Sequence, residues 1–171
     1  MNIRLATAAL ASLALAACAT QPKPLQGQYD AITPQDAAAG SHLGAHVRWG
    51  GRIIQAEPGP DRTCFEVIST RLDGSGRPLR SSDETGGRFI ACRSGFYDPA
   101  VFAPDREVTF TGRVDGTETR KIEDYDYTFP RLDADVVYLW PLRDRVDTIY
   151  RNGWGYGPRP WGWSVGWGWR W

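Results

Sequence analysis

Histidine, serine and carboxylate side chains could carry catalysis or bind a metal where their spacing suits that chemistry. His42 and His46 are the two histidines of the chain, and a pair four residues apart can bind zinc on a helix. Gly44 lies between them, however, and no carboxylate or cysteine follows at ligand spacing. We therefore expect exposed or capping histidines, and no metal or other cofactor.

The acidic pairs and the serine also lack a catalytic setting. Ser94 is not preceded by the glycine, two positions earlier, that a nucleophile elbow requires. Glu123-Asp124 with Asp126, or Asp133 with Asp135, could be the paired carboxylates of a glycoside hydrolase. Acids that alternate with tyrosines along a strand are more typical of its water-facing side. The sequence predicts that the protein is not an enzyme.

The first of the three cysteines indicates a covalent modification. Cys18 directly follows Leu15-Ala16-Ala17, at the end of a segment that has one positive residue, Arg4, and an apolar run. This layout is typical of a secretory signal. A cysteine after Leu-Ala-Ala is also typical of a lipobox, in which the cysteine receives a diacylglyceryl thioether and its new N-terminus is acylated. We expect residues 1–17 to be the signal peptide and Cys18 the lipidation site; the alternative is an ordinary signal with a chance cysteine.

Cys64 and Cys92 remain, in a compartment where disulfides persist. If Thr63–Leu72 and Arg88–Arg93 form an antiparallel hairpin centred near Pro78, the two cysteines lie directly opposite each other. We predict a disulfide between them, with two buried free thiols as the alternative.

The elements that position these residues are mainly short strands. Residues 18–28 contain two prolines and predict a lipidated tether, and residues 29–150 predict one all-β domain. Turn signals separate about six strands, which favours a small OB-like barrel or a sandwich. A short helix is predicted at Pro34–Ala39, with Thr33 as its N-cap and Asp36 as the acid of its first turn. A second short helix is predicted at Leu142–Tyr150. A bulge or sharp coil is predicted at Gly50-Gly51, and a turn at Arg113–Thr117. The predicted strands are Ala45–Glu57, Thr63–Leu72, Arg88–Arg93, Glu107–Val114, Arg120–Tyr127 and Asp133–Trp140.

Aromatic residues offer a possible ligand or partner surface. The connection Ser94–Pro104 is too apolar to be left in water, and it predicts either a cap on the barrel or an aromatic lip. Small barrels bind oligosaccharides on one face, so a glycan- or peptide-binding module is the alternative function. The residues that would line this surface are Trp49, Phe96, Tyr97, Tyr125 and Tyr127.

Residues 151–171 form a C-terminal tail with six tryptophans and six glycines. In its last part tryptophan or valine alternates with glycine, serine or arginine, so an extended segment would place the apolar side chains along one edge. Tryptophan prefers the headgroup layer of a membrane, and a membrane-interface contact is predicted for the tail. Packing on the barrel and a disordered tail are the alternatives. The predicted contact residues are Trp161, Trp163, Trp167, Trp169 and Trp171.

The charge balance excludes some partners. The chain has 20 basic and 20 acidic residues, so it lacks the basic footprint of a nucleic-acid-binding protein. No stretch after Cys18 is long and apolar enough to span a bilayer. The sequence therefore predicts that the protein is held by its acyl chains, with no nucleic acid among its partners.

Several segments, taken together with the lipobox, occur in an order that resembles one known family. They are Val47–Gly51 followed by Ile53, Ser94–Pro99, Val108–Gly112 with Gly116, Tyr125–Tyr127 and Tyr138–Trp140. From Cys18 to about Tyr156 the chain resembles the Slp family, the starvation-inducible outer-membrane lipoproteins. The resemblance implies an outer-membrane lipoprotein tied to stationary-phase or stress physiology, and it implies no catalytic residue. We therefore expect a lipid anchor on the periplasmic face of the outer membrane, a role in envelope integrity or in that physiology, and envelope proteins or peptidoglycan as partners.

Overall fold

The computed structural model describes residues 21–40, 42–80 and 84–143. Cys18 and the tail from residue 151 lie outside the described residues, as does most of the predicted helix Leu142–Tyr150. The described elements are a helix α1 (Pro34–Ala39) and the strands β1 (His46–Pro58), β2 (Arg62–Ser69), β3 (Arg88–Ser94), β4 (Glu107–Ile122) and β5 (Tyr125–Leu139).

The strands close into a barrel in the order β1-β2-β3-β5-β4, and β4 pairs again with β1. β3 and β5 run parallel to each other, whereas the other neighbouring pairs are antiparallel. A five-stranded barrel of this kind is OB-like. The fold class predicted from the sequence is confirmed.

The region predicted as two strands with a turn at Arg113–Thr117 is one long strand. β4 continues through Gly116, and the chain reverses at Glu123 and Asp124 instead. The Asp115-Gly116 signal marks an irregularity in the pairing with β5, where the register shifts between Val114 and Gly116. Pairing along the whole of β5 overrides the local turn preference. The described part of the chain therefore has five strands, and the predicted strand Arg120–Tyr127 spans the reversal.

Gly51 has a different role from the predicted bulge. The register between β1 and β2 shifts between Ile53 and Gln55, two residues later. At Gly51, an added Cβ would collide with the backbone carbonyl oxygen of Ile68. Glycine is required because β2 approaches the backbone of β1 closely at this point.

The structure confirms the short helix predicted at Pro34–Ala39, which is α1. The Thr33 hydroxyl accepts a hydrogen bond from the Asp36 amide at 3.1 Å, and the Asp36 carboxylate accepts one from the Thr33 amide at 3.0 Å. This reciprocal pair is a capping box. The hydrogen bonds from the Thr33 hydroxyl and amide hold the pKa of Asp36 below its usual value. Ala37 is buried in the main core, so the helix plugs the barrel.

The predicted tether is part of the folded domain from Gln21 onward. Residues Lys23–Leu25 form a 3-10 turn, and the Leu25 side chain is fully buried. One Arg48 nitrogen, Nη1, donates to the side-chain oxygen of Gln21 at 2.9 Å and to the Leu25 carbonyl at 3.1 Å. The segment therefore packs on the barrel, because one buried leucine and one arginine hold it there.

The core has two parts. The main part fills the barrel, and in it the Phe65 ring contacts the rings of Phe102 and Phe110 at centroid distances of 5.4 Å. A smaller cluster lies on the outer side of β2 and β3 and contains the buried residues Ile90, Cys92 and Phe129. This second cluster exists because the part of β4 and β5 around the reversal folds over that outer face.

Candidate membrane-proximal surface and ligand clefts

Cys64 and Cys92 form the predicted disulfide. They are directly opposite each other in the β2–β3 register, with their Cα atoms 4.0 Å apart. Their strand neighbours Phe65 and Ala91 point into the main core. Because side chains alternate along a strand, the disulfide lies on the outer face of the barrel.

The outer face of β2 and β3 is covered by the β4–β5 ribbon, which we define as residues 115–130. Ile122, Tyr127 and Phe129 pack against the disulfide region. The Tyr127 ring contacts that of Phe129 at 4.8 Å, and its hydroxyl accepts a hydrogen bond from the Arg88 amide at 2.9 Å. OB-folds commonly use this face for ligands, and here the protein's own ribbon occupies it.

The residues predicted to form one aromatic ligand face do not come together. Trp49 is only 4% exposed, and its indole nitrogen donates to the Ile32 carbonyl at 2.7 Å. Tyr125 is 70% exposed at the reversal of the ribbon, whereas Tyr127 packs on the disulfide cluster. The prediction of a shared face is wrong because Trp49 points into the barrel and Tyr127 packs outside it.

The connection from Gly95 to Arg106 mainly caps the barrel. The Tyr97 ring packs edge-on against Phe65 at 5.5 Å, and the Tyr97 amide donates to the Thr63 hydroxyl at 3.1 Å. Phe102 packs on the same two rings. Phe96 points outward and is 73% exposed. Of the two predicted aromatic residues here, Tyr97 belongs to the cap, and Phe96 is available to a partner.

The two histidines do not form the helical pair that could bind zinc, although Nε2 of His46 lies 3.9 Å from Oδ2 of Asp135. His46 begins β1, where its amide donates to the Asp30 carboxylate at 2.9 Å, so the two histidines do not share a helical face. Asp133 and Asp135 line an open cleft of about 610 Å³ together with Arg62 and Arg93. Among the described residues, no group of three or more histidine, cysteine or acidic side chains is placed to hold a metal ion.

A second, smaller cleft lies beside Trp49. Its volume is about 300 Å³, and Ile32, Pro34 and Leu72 contribute much of its apolar lining. Thr70 also lines it, is 8% exposed, and has a hydroxyl with no hydrogen-bond partner within the described parts of the chain. Buried hydroxyl groups normally have a partner. No sequence signal identified Thr70, because the cleft forms only when residues 30–34 lie beside β1.

The loop Leu72–Arg80, which we call the exit loop, connects to both ends of the domain. Leu72 pairs with Pro78 across it. The Asp73 carboxylate accepts hydrogen bonds from the Ser75 amide and hydroxyl and from the Arg77 amide, at 2.6 to 3.0 Å. Partial loss of hydration raises the pKa of Asp73, but these hydrogen bonds outweigh that effect, and the pKa of this exposed side chain is lower than usual.

At the start of the described chain, the Gln21 side-chain amide donates to the Gly74 carbonyl of the exit loop at 3.2 Å. At its end, Arg143 donates to the Pro78 carbonyl at 2.8 Å, and Arg77 donates to the Pro141 carbonyl at 2.7 Å. Both ends of the described chain therefore leave the barrel beside the same loop.

Glu107 joins the exit loop to the barrel. Its carboxylate is buried and lies 2.6 Å from Nε of Arg77, 3.1 Å from Nε of Arg80 and 3.0 Å from Nε of Arg143. The Arg77 guanidinium also lies over the Trp140 ring, 5.4 Å from its centroid. We call Glu107 and these three arginines the arginine junction. Three cations around one carboxylate leave a local excess of positive charge.

Comparison with known proteins gives a consistent result. The profile of the Outer membrane lipoprotein Slp family matches residues 15–170. Outer membrane protein Slp of Escherichia coli (strain K12) is 30% identical over 162 residues, which cover 88% of this chain and 85% of the relative. Uncharacterized lipoprotein YeaY of the same organism is 29% identical over 158 residues, 88% of this chain and 80% of the relative.

Among solved structures, the small single-stranded DNA-binding protein from Streptomyces coelicolor has a TM-score of 0.38 and 16% sequence identity. The similarity covers 56% of this chain and 94% of that one. Within the described residues, no helix is long and apolar enough to cross a membrane.

Proposed function

Because this chain belongs to the outer membrane lipoprotein Slp family, we propose that it is a non-enzymatic lipoprotein, acylated at Cys18, that acts on the periplasmic face of the outer membrane. Its role is in envelope integrity or in stationary-phase and stress physiology. The membrane holds it through the acyl chains, and the β-barrel is the part that meets other envelope components, either proteins or peptidoglycan.

The contact of Gln21 with the exit loop is the observation that carries this proposal. Gln21 is three residues after Cys18, and three extended residues span at most about 11 Å. Gln21 is held by Gly74 and Arg48, and Leu25 is buried just after it. An acylated Cys18 therefore places the barrel directly at the membrane surface, without a flexible linker that would let it reach deep into the periplasm.

The surroundings of the acidic pairs support a non-enzymatic role. Asp133 and Asp135 line a wide, open cleft beside Arg62 and Arg93, where water is not excluded from a reacting bond. Asp126 lies 3.4 Å from the ammonium of Lys121 on the ribbon, and both side chains are exposed. Asp126 therefore belongs to a surface ion pair, and Asp133 and Asp135 lie in an open cleft rather than in an enclosed catalytic site.

Substitution of Cys18 tests the anchor. In the Cys18→Ala chain we expect loss of acylation and release from the outer membrane into the soluble periplasmic fraction. Ala19→Asp is the matched control, since it leaves the acylated cysteine intact while creating the usual inner-membrane retention signal. We expect that variant to be acylated but to fractionate with the inner membrane. A Cys18→Ala chain that remains wholly in the outer membrane would contradict the acyl anchor as the main attachment.

The tail is proposed to make a second contact with the membrane, since the alternation of tryptophan and glycine after Pro160 favours an interfacial segment. The mature Cys18→Ala chain, with and without the residues after Pro158, is mixed with liposomes. We expect a blue shift of tryptophan fluorescence only when the tail is present. An equal response from both chains, or no shift in either, would contradict this contact.

A glycan- or peptide-binding module is the second candidate, and the cleft beside Trp49 favours it. The Thr70 hydroxyl, which has no hydrogen-bond partner among the described residues, lies beside apolar side chains, and this is the composition of a small ligand site. Tri-N-acetylglucosamine and trialanine are the probes, titrated into the mature Cys18→Ala chain. Thr70→Val keeps the shape and removes the hydroxyl, and should weaken binding about fivefold, the equivalent of one hydrogen bond. Absence of binding by both probes at millimolar concentration contradicts this candidate.

A further inference from the structure

We propose that the arginine junction and the side chains next to it form a docking surface for the phosphate groups of membrane lipids. The proposal rests on the acyl anchor proposed above and specifies which side of the barrel faces the bilayer. It assigns binding to a part of the molecule that sequence patterns did not identify.

The local charge is the first observation. Next to the arginine junction, Arg106 lines the same surface, and Arg52 lies 3.5 Å from Asp105. Among the residues that the structure describes here, and with Asp73 of the exit loop included, five arginines face three carboxylates, although the chain as a whole is neutral. An excess of guanidinium groups at one place attracts anions, and the planar guanidinium matches a phosphate group well.

The accessibility of these groups is the second observation. Arg80 is 59% exposed, more than Arg77 or Arg143, although its Nε lies 3.1 Å from Glu107. Leu142 lies on the same surface and is 74% exposed. An exposed apolar side chain beside arginines is typical of surfaces that lie in the headgroup layer of a membrane.

The position of the surface selects lipid as the source of the phosphate. Gln21, three residues from the acylated cysteine, and Arg143, the last described residue, both bind the exit loop that contains Arg77 and Arg80. The anchor therefore holds this side of the barrel within reach of the headgroups, where each arginine gains from anionic lipid.

The shape of the surface agrees with a flat partner rather than a small free anion. The hollow enclosed by these residues has a volume of about 10 Å³, which is hardly enough for one water molecule. A phosphate ion cannot be enclosed there. The guanidinium groups can instead meet phosphates that are already arranged in a plane.

Vesicle binding tests the proposal on the full mature chain with Cys18→Ser, which lacks acyl chains. Co-sedimentation is measured with phosphatidylcholine vesicles that contain roughly one third phosphatidylglycerol, and with pure phosphatidylcholine. We expect clear binding to the anionic vesicles and much weaker binding to the neutral ones. Arg80→Gln should reduce binding about fivefold, as expected for one arginine at a membrane surface.

Lys121→Gln is the matched control, because it also removes one exposed positive charge but lies on the ribbon. It should bind as the parent does, and Arg80→Lys should restore most of the binding lost in Arg80→Gln. Unfolding midpoints of all variants show whether the fold is kept. Equal losses in Arg80→Gln and Lys121→Gln, or equal binding to both kinds of vesicle, would overturn the proposal.

Inorganic phosphate distinguishes the two sources of the anion. At constant ionic strength it should not displace the chain from anionic vesicles, and displacement would indicate a small-anion site and overturn the lipid assignment. The acylated Arg80→Gln chain should still fractionate with the outer membrane. Failure of the docking surface is thereby distinguishable from failure of the anchor, which the Cys18→Ala fractionation reports.

Discussion

The pairing between β4 and β5 has a different structural role at each end of the two strands. From Glu107 to Gly112, every residue of β4 is buried, and the strand pairs with both β1 and β5. Beyond Asp115, in the ribbon, exposed and half-buried residues alternate, and β4 pairs with β5 alone. The first part closes the barrel, and the ribbon covers the outer face of β2 and β3.

Charged residues differ in the same way. Glu107 is buried among three arginines, whereas Glu118 of the ribbon is half exposed and lies 2.7 Å from Nε of Arg120. The hydrogen bond that Arg120 donates to the Glu118 carboxylate raises the pKa of Arg120, which stays charged. Surface pairs of this kind contribute about 0–1 kcal/mol. Ion pairs therefore hold the exit loop to the barrel at the Glu107 end of β4, and they contribute little to stability in the ribbon.

The largest effect is expected under the ribbon. Reducing the Cys64–Cys92 disulfide, or replacing both cysteines by serine, should lower the free energy of unfolding by roughly 3–4 kcal/mol, because the bond closes a loop with a sequence separation of 28. Urea denaturation with and without reductant measures the difference. A loss below about 1 kcal/mol would mean that packing of the ribbon, rather than the covalent bond, holds this face together.

Glu107→Gln should have the next largest effect. It leaves three guanidinium groups close together without their carboxylate, and removing one partner of a buried pair costs about 3–5 kcal/mol. These arginines are partly exposed and regain some water, so we expect roughly 2–3 kcal/mol. Glu118→Gln on the same strand is the control, with at most about 1 kcal/mol. Similar losses in the two variants would contradict the distinction between the two ends of β4.

Tyr127→Phe tests how the ribbon is attached. It removes the hydroxyl that accepts from the Arg88 amide, at an expected cost of about 0.5–1.5 kcal/mol. Tyr125→Phe, two residues earlier on β5, changes an exposed side chain and should stay within about 0.5 kcal/mol. Amide hydrogen exchange at Arg88 provides a local readout, and it should accelerate only in Tyr127→Phe.

The smallest effect concerns the exit loop and depends on pH. The pKa of Asp73 is lower in the folded protein than usual, so its stabilisation is complete above the ordinary aspartate pKa of about 3.9 and is lost as the pH falls through the folded-state value. Asp73→Asn should cost a few tenths of a kcal/mol at pH 7, since the side chain is exposed and screened. The difference from the parent chain should disappear in acid. An equal difference at both pH values would contradict this assignment.

The sequence predicted the parts of the fold that depend on neighbouring residues. The capping box at Thr33 and Asp36 is local, and the opposition of Cys64 and Cys92 follows from one hairpin register. The prediction of a turn near Gly116 was wrong, because a local glycine signal does not show whether the chain reverses or only shifts its register. The prediction of a tether was wrong from Gln21 onward. Leu25 and Gln21 pack on strands and on the exit loop, which are distant in sequence.

The candidate surfaces could be predicted less well from the sequence, because they too depend on contacts between distant segments. Trp49 and Tyr127 are aromatic residues on strands, and composition alone does not say which of them faces inward. Thr70 and Glu107 carried no motif, since an unpaired hydroxyl and a carboxylate shared by three arginines exist only after distant segments meet.

By itself, the amino-acid sequence determined the position of most strands, the capped helix and the cysteine register, because hydrogen bonding and side-chain alternation over a few residues decide them. The tertiary structure alone decided that both ends of the described chain meet at the exit loop, that the ribbon covers the disulfide, and that Glu107 gathers three arginines. These arrangements join residues up to 65 positions apart, as in the bond from Arg143 to Pro78. Contacts of that kind depend on how the barrel closes, and no local pattern specifies the closure.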